Sequence, residues 1–272
     1  MADPGKTIGR SIRTTGIYDL SVSEVLARLI DDGDTVVDAG ANVGYMTMLA
    51  AIAAGPSGHV LSWEPHPELF GILERNIRNV GAATACAPIA ARNAALGDMH
   101  GRVDLVIPGS IVENDGLSHL GQPTASDRTI PVSMETLDGF VEGRTVSVMK
   151  LDVEGAEVRV LSGARKALDA GRITHVVFED HGGEDSEVIR LFVSKGYRVF
   201  SLGWSLRGLR LGEWAGARLA AQYEAPSYIA SLAPDEVQLR CSSPGWITLG
   251  PALSWRQGQS GAHSDLRPTP CA

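Results

Sequence analysis

Short apolar runs alternate along the chain with segments in which apolar residues recur at helical spacing. The runs predict strands that are buried on both faces, and the segments between them predict helices. This alternation predicts an α/β fold with a Rossmann-like, doubly wound and mostly parallel sheet. The predicted strands are 35–37, 59–63, one within 84–91, 146–151 and 173–178, and the predicted helices are 23–30, 45–54, 67–81, 157–168 and 187–195.

Two regions depart from this alternation. Val103, Leu105 and Ile107 recur with a period of two, and a second set does so at 130–134, which predicts a β-hairpin inserted at about 101–133. The polar, Gly-rich stretch between its arms is expected to act as a lid. Further along, 197–202 and 227–232 predict an antiparallel pair that completes one edge of the sheet.

The two ends of the chain differ in composition from its centre. Residues 1–17 are polar and predict a loose N-terminal arm. Residues 251–272 are polar and contain Gly, Pro and Ser, which predicts a disordered tail. We therefore expect one folded domain over 18–250, with the hairpin as its insertion.

Composition limits the partners that this domain can have. Of its 272 residues, 44% are hydrophobic, which is enough for a sizeable core. The chain has 24 basic and 32 acidic residues and a formal net charge of −8. This balance argues against a nucleic-acid partner and against an anionic membrane surface. The sequence leaves homo-oligomerisation open.

The cysteines and the N-terminal segment bear on localisation. Cys86, Cys241 and Cys271 are scattered, odd in number and without a CxxC pair, so no disulfide framework is predicted. The first 13 residues contain no apolar stretch like that of a signal peptide, and no apolar run approaches the length of a membrane span. These features predict a cytoplasmic protein with reduced thiols.

Candidate binding residues follow the first two predicted strands. Asp38 and the loop 40–44 follow the first strand, and Glu64 follows the second. Ligands of open α/β sheets bind beyond the carboxyl ends of the strands, where an acid can accept hydrogen bonds from a ribose diol. The loop reads Gly-x-Asn-x-Gly, and Asn42 stands where a pyrophosphate would need bare backbone. The loop therefore favours S-adenosylmethionine over NAD. Asp38 is then expected to bind the methionine ammonium directly or through water, and the N–H groups at the start of the following helix to bind its carboxylate.

Several motifs together resemble the FkbM family of methyltransferases. They are DxGANxG at 38–44, Glu64-Pro65, NxALGD at 93–98, Thr136-Leu137-Asp138, and KxDVEGxE at 150–157. They occur in the family's order over roughly 20–232. The resemblance implies a class I methyltransferase sheet, S-adenosylmethionine as donor, and hydroxyl acceptors on polyketides, sugars or related compounds of secondary metabolism. It also implies a set of residues that line the cofactor pocket: Tyr18, Asp38, Gly40, Asn42, Gly44, Glu64, Ala95 and Leu96.

Catalytic candidates lie at the ends of the later strands. A hydroxyl acceptor needs a general base, or a metal that lowers its pKa. Asp152 ends the fourth strand, with Lys150 pointing to the same side of that strand, and His181 and His119 are candidate bases. Asp152 with Glu179 and Asp180, at the tips of neighbouring strands, is also the type of oxygen-ligand set that binds Mg²⁺.

The sequence therefore predicts an O-methyltransferase acting on a small-molecule or saccharide acceptor. N- or carboxyl-methylation on the same fold stays open, because the donor pocket does not report on the acceptor atom. Two alternatives belong to other classes: an NAD-dependent oxidoreductase and a catalytically silent binding module.

Overall fold

The computed structural model describes residues 7–109, 118–180, 182–183, 186–213 and 226–249. The helices are α1 (Thr7–Thr15), α2 (Leu20–Leu29), α3 (Tyr45–Ala54), α4 (Pro67–Ala83), α5 (Glu157–Gly163), α6 (Arg165–Asp169), α7 (Glu187–Ser194) and α8 (Pro234–Cys241). The strands are β1 (Thr35–Ala39), β2 (His59–Trp63), β3 (Ile89–Arg92), β4 (Ala95–Leu96), β5 (Gly101–Ile107), β6 (Arg128–Glu135), β7 (Val146–Leu151), β8 (Ile173–Glu179), β9 (Arg198–Ser205), β10 (Gly208–Glu213) and β11 (Ser227–Ser231).

Within these residues, eight strands form the main sheet in the order β10-β9-β11-β8-β7-β1-β2-β3. Five neighbouring strands of this sheet, β8, β7, β1, β2 and β3, are mutually parallel. β11 runs antiparallel to both β8 and β9. The doubly wound, mostly parallel sheet with an antiparallel edge is therefore confirmed. The carboxyl ends of β1, β2, β7 and β8 meet at one edge of the sheet.

Apolar side chains fill the space on both faces of this sheet. One cluster joins the sheet to α5, α6 and α7 through residues such as Leu161, Ala164 and Phe192. The other joins it to α2, α3 and α8 through residues such as Leu26, Ala50 and Val237. Burial on both faces explains why the central strands are continuous apolar runs.

The inserted hairpin is confirmed and belongs to a second, smaller sheet. β5 and β6 pair antiparallel from Gly101–Met134 to Ile107–Arg128. β4, a two-residue strand that the sequence pattern did not predict, pairs parallel with β6. The tip at 110–117 and the tail at 251–272 lie outside the described residues.

Several local elements differ from those that the sequence predicts. Residues 7–15, predicted as part of a loose arm, form a helix that ends where the Thr14 and Thr15 hydroxyls bond to backbone carbonyls four residues back. The helix predicted at 157–168 is broken at Ala164, because Asp138 accepts the N–H groups of Lys166 and Ala167 and so begins a new helix. β10 and α8 were not predicted.

Among the described residues, no helix combines the length and hydropathy that crossing a lipid bilayer requires.

Candidate functional site

A cleft of about 990 Å³, partly open to solvent, lies at the carboxyl ends of β1, β2 and β7. The small sheet contributes one wall of it through Leu105 and the segment 118–120. Of the residues predicted to bind cofactor or to act in catalysis, those that line this cleft are Tyr18, Gly40, Asn42, Glu64, Ala95, Leu96, His119, Lys150 and Asp152.

The loop after β1 is shaped by backbone conformations that few residues adopt. Gly40, Asn42 and Gly44 all have positive φ, at 83°, 50° and 91°. A Cβ on Gly40 would lie 1.8 Å from the carbonyl oxygen of Asp152, and one on Gly44 would lie 2.4 Å from Cδ1 of Leu73. The two glycines are therefore required for chain packing, and Asn42 is a residue type that tolerates this conformation.

The backbone N–H groups of this loop are already bonded within the protein. Gly40 and Ala41 donate to the carbonyl of Trp63, Val43 donates to the Asn42 side chain, and Gly44 donates to the carbonyl of Ala41. The donors that remain for a ligand are in the first turn of α3, where a helix leaves its N–H groups without partners. The sequence predicted donors at this same helix N-terminus.

Glu64 sits at the end of β2 and is 5% exposed. Its Oε2 accepts from the N–H of Asn42 at 2.7 Å, and its Oε1 accepts from the N–H of His66 at 2.8 Å. Burial raises the pKa of Glu64 to about 7, against the opposing effect of these two bonds. Each oxygen keeps a second lone pair, so the carboxylate can still accept two hydrogen bonds from a ligand.

Asp38 does not line the cleft, although it was predicted to line the cofactor pocket and to bind the methionine ammonium directly or through water. Its side chain is 1% exposed and accepts from the Thr47 hydroxyl at 2.5 Å. Burial raises its pKa, and the ammonium of Lys150 opposes that shift. The side chain therefore lies behind the loop and faces Lys150. Gly44, the N-cap of α3, is also not among the lining residues.

An apolar wall faces the loop across the cleft. Ala95 and Leu96 are buried in β4 and line the cleft, as do Trp63 and Leu69. The indole N–H of Trp63 donates to Glu135 at 2.9 Å, so the ring presents apolar surface without an unpaired donor. Tyr18 lies at the opposite side, packed edge-on against Tyr45. The pKa of Tyr18 is raised, chiefly by burial and then by the charge of Asp152.

Asp152 and Lys150 form an ion pair on the floor of the cleft. The Lys150 ammonium lies 3.0 Å from Oδ2 of Asp152 and donates to the Gly40 carbonyl at 2.9 Å. Burial alone lowers the pKa of Lys150, but the carboxylates of Asp152 and Asp38 outweigh burial and raise it above its usual value. A protonated ammonium has no lone pair, so Lys150 is unsuited to the role of a base.

Glu154 also lines the cleft, and the sequence did not predict it as a site residue. It has a positive φ of 51°, which is uncommon for a residue other than Gly. Although Glu154 as a whole is exposed, partial desolvation of its carboxylate raises its pKa to about 7, and the charges of Asp152 and Glu157 add to the shift. The motif around it was visible in the sequence, but the backbone conformation was not.

The two histidines predicted as bases fare differently. His119 lines the cleft, and its Nδ1 accepts from the N–H of Gly121 at 3.0 Å. The neutral ring then carries its proton on Nε2, so it offers a donor rather than a base. His181 lies outside the described residues.

The acids predicted as magnesium ligands do not fit a metal ion. Asp152 is paired with Lys150, and Asp180 accepts from the N–H of Gly182 at 3.0 Å. Burial, followed by the charges of Asp152 and Asp19, raises the pKa of Glu179 to about 8. No group of three or more potential ligands for a metal occurs in the described part of the chain.

The chain is similar to several known proteins. Residues 38–199, more than half of the chain, match the Methyltransferase FkbM domain. The 31-O-demethyl-FK506 methyltransferase FkbM of Streptomyces tacrolimicus is 31% identical over 193 residues, which cover 61% of this chain and 74% of that protein. The hexuronic acid methyltransferase AglP of Haloferax volcanii is 27% identical over 194 residues, which cover 66% and 71%. A solved structure, methyltransferase FkbM from Methylobacillus flagellatus KT, aligns at 15% identity over 84% of this chain and 60% of that one, with a TM-score of 0.46.

Proposed function

The chain belongs to the FkbM family of S-adenosylmethionine-dependent methyltransferases, and we propose that it methylates a hydroxyl oxygen of a small molecule or saccharide. Family membership sets aside the NAD-dependent oxidoreductase. The observation that carries the proposal is the pair of carboxylates, Asp152 and Glu154, that faces the same cleft as Glu64 and the glycine loop. Relatives named for 31-O-demethyl-FK506 and for hexuronic acid support this acceptor class.

The residues around the cleft suit the separate parts of the donor. Glu64 has a lone pair on each oxygen for the two ribose hydroxyls. The first turn of α3, at Tyr45 and Met46, offers backbone donors to the methionine carboxylate. Ala95, Leu96 and Trp63 supply apolar surface for the adenine. Together they account for each recognisable group of the donor except its ammonium.

On the acceptor side, the two carboxylates have different tasks. Asp152 keeps Oδ1 available while Oδ2 is held by Lys150, so it accepts a hydrogen bond from the acceptor hydroxyl and orients it. Glu154, with a pKa of about 7, is matched to removing the proton at neutral pH. S-adenosylmethionine supplies the electrophilic methyl group. These two carboxylates carry the proposed proton removal without a metal ion, which the test with EDTA checks.

The test is transfer of a labelled methyl group to a panel of saccharides and hydroxylated metabolites, with amines and carboxylic acids as competing acceptors. We expect label in an alkali-stable ether and no loss of turnover in EDTA. Glu154→Gln should lower turnover about a hundredfold at pH 7, the usual range for removal of a general base. Label found only on nitrogen or in an alkali-labile ester would overturn the proposal.

The matched control is Glu142→Gln. Glu142 is exposed and precedes β7, at the edge of the sheet opposite the cleft. Its loss should leave turnover unchanged, so a comparable loss in both variants would remove Glu154 from the mechanism.

A further inference from the structure

Lys150 is a charged residue within an apolar strand. It is 9% exposed, and its neighbours in β7, Met149 and Leu151, are fully buried. An ammonium that is removed from water needs an opposite charge and hydrogen-bond acceptors to offset the cost. The partners that Lys150 has are therefore informative about its role.

Those partners come from two different strand ends. The ammonium donates to the Gly40 carbonyl, which follows β1, at 2.9 Å. It lies 3.0 Å from Oδ2 of Asp152, which follows β7, and 3.7 Å from Oδ1 of Asp38 in β1. Three N–H donors thus face three acceptors, and together they join the exit of β1 to the exit of β7.

The two strand exits also touch through their backbones. The N–H of Asp152 donates to the Ala39 carbonyl at 3.1 Å, and there is no room for a Cβ between Gly40 and the Asp152 carbonyl. The loop after β1 contains Asn42, whose N–H donates to Glu64, and Asp152 follows β7. The contact therefore connects two halves of the cleft: the donor half, formed by the glycine loop and Glu64, and the acceptor half, which contains Asp152.

Asp38 lies near the Lys150 ammonium but does not line the cleft. Its Oδ2 accepts from the Thr47 hydroxyl of α3, while its buried Oδ1 has no hydrogen bond to any described residue and faces the ammonium. Since Asp38 does not line the cleft, it acts on the site through Lys150 and through Thr47 in the first turn of α3.

We propose that Lys150, backed by Asp38, is a positioning residue that fixes the glycine loop and Asp152 relative to each other and takes no part in bond making. This inference rests on the proposed function for the identity of the two halves. It assigns Asp38 a role through Lys150 in place of the binding of the methionine ammonium, directly or through water, that the sequence suggested.

The test uses the full chain and two measurements that need no acceptor. The first is the affinity for S-adenosylhomocysteine by calorimetry, and the second is amide hydrogen exchange at 40–44 and 152–155. Lys150→Met should weaken the affinity about tenfold and speed exchange in both segments together, because the shared anchor is gone. Lys150→Arg keeps the charge and should retain most of both properties.

The matched control is Arg28→Met, which removes another buried cation. Arg28 pairs with Glu24 at 2.7 Å and does not line the cleft, so its loss should lower the melting temperature without altering affinity or exchange at the two segments. If Lys150→Met also lowers only the melting temperature, the positioning role is wrong.

Two further outcomes are covered by the same design. If Lys150→Met gives no cooperative melting transition, affinity and amide exchange are measured on Asp38→Asn instead. This substitution weakens the support of Lys150 while keeping the shape of the side chain, so it should change both properties in the same direction. If the unaltered protein does not bind S-adenosylhomocysteine, the proposed function fails, whereas hydrogen exchange still decides the role of Lys150.

Discussion

Buried charges occur in two regions of this protein, and their hydrogen bonding differs. One region is the cleft. The other, which we term the clasp, comprises α2, α8, Asp31 and the segment 245–248. In the clasp, Glu24 is fully buried and accepts bonds from Arg28, from the N–H groups of Ile247 and Thr248, and from the Thr248 hydroxyl. Glu24 thus accepts four hydrogen bonds from the protein, two on each oxygen, whereas Glu64 in the cleft accepts one on each oxygen.

The pKa values follow the same division. In the clasp, the neighbouring His175 ring and the hydrogen bond from Arg240 lower the pKa of Glu236 to about 2. In the cleft, burial raises the pKa of Glu64 to about 7 and that of Glu179 to about 8. A carboxylate with its partners in the protein stabilises the fold, whereas one with a raised pKa has capacity left for a ligand or a proton.

The largest effect that would sharpen this comparison is expected in the clasp. Glu24→Ala leaves the Arg28 guanidinium buried without its carboxylate, and removing one partner of a buried ion pair costs about 3 kcal/mol or more. Chemical denaturation should report this loss in the free energy of unfolding. Affinity for S-adenosylhomocysteine, measured well below the melting temperature, should stay within about twofold. Weakened binding in a folded Glu24→Ala protein would contradict the division between the two regions.

The converse substitution in the cleft is Glu64→Ala. It removes the acceptor for the ribose and leaves the N–H groups of Asn42 and His66 without a partner, so affinity for S-adenosylhomocysteine should fall about a hundredfold. Calorimetry measures this directly. Glu64→Gln keeps one carbonyl oxygen and should lose less. Equal affinity in Glu64→Ala and the unaltered protein would remove this residue from the donor site.

The smallest effect is a dependence of stability on pH. A carboxyl whose pKa is raised in the fold contributes stability below its unfolded pKa, and this contribution is lost as the pH rises through the folded value. For Glu179 that window runs from about 4.5 to about 8. Glu179→Gln should therefore reduce the drop in melting temperature of the ligand-free protein between pH 5 and pH 8.5 by about 3 °C. An unchanged drop would show that Glu179 is not desolvated.

The elements that the sequence predicted best are those bounded by residues that end a helix or a strand. α3 and β2 have the predicted bounds because Gly44 and Gly55 flank the helix and Glu64 ends the strand. The break at Ala164 could not be predicted, since its cause is Asp138, a residue that is distant in sequence. β4 is too short to produce a periodic pattern.

The site was predictable to the same extent. The glycine loop and Glu64 could be read from strand ends, because the fold brings such ends together. The burial of Asp38 depends on Thr47 and Lys150, which only the folded chain brings to it. The pKa of Glu154 depends in the same way on its surroundings in the fold.

The small sheet has a practical consequence for changing what the enzyme accepts. Among the described residues it shares no hydrogen-bonded strand with the main sheet, yet it supplies Leu105 and the segment 118–120 to the cleft. Its attachment includes the bonds that Glu135 accepts from Arg92 and Trp63. An insertion from a relative, grafted between 97 and 135 with Glu135 retained, would exchange one wall of the cleft while the parallel strands and their loops keep their hydrogen bonds. This wall of the cleft is thus a separable module for engineering.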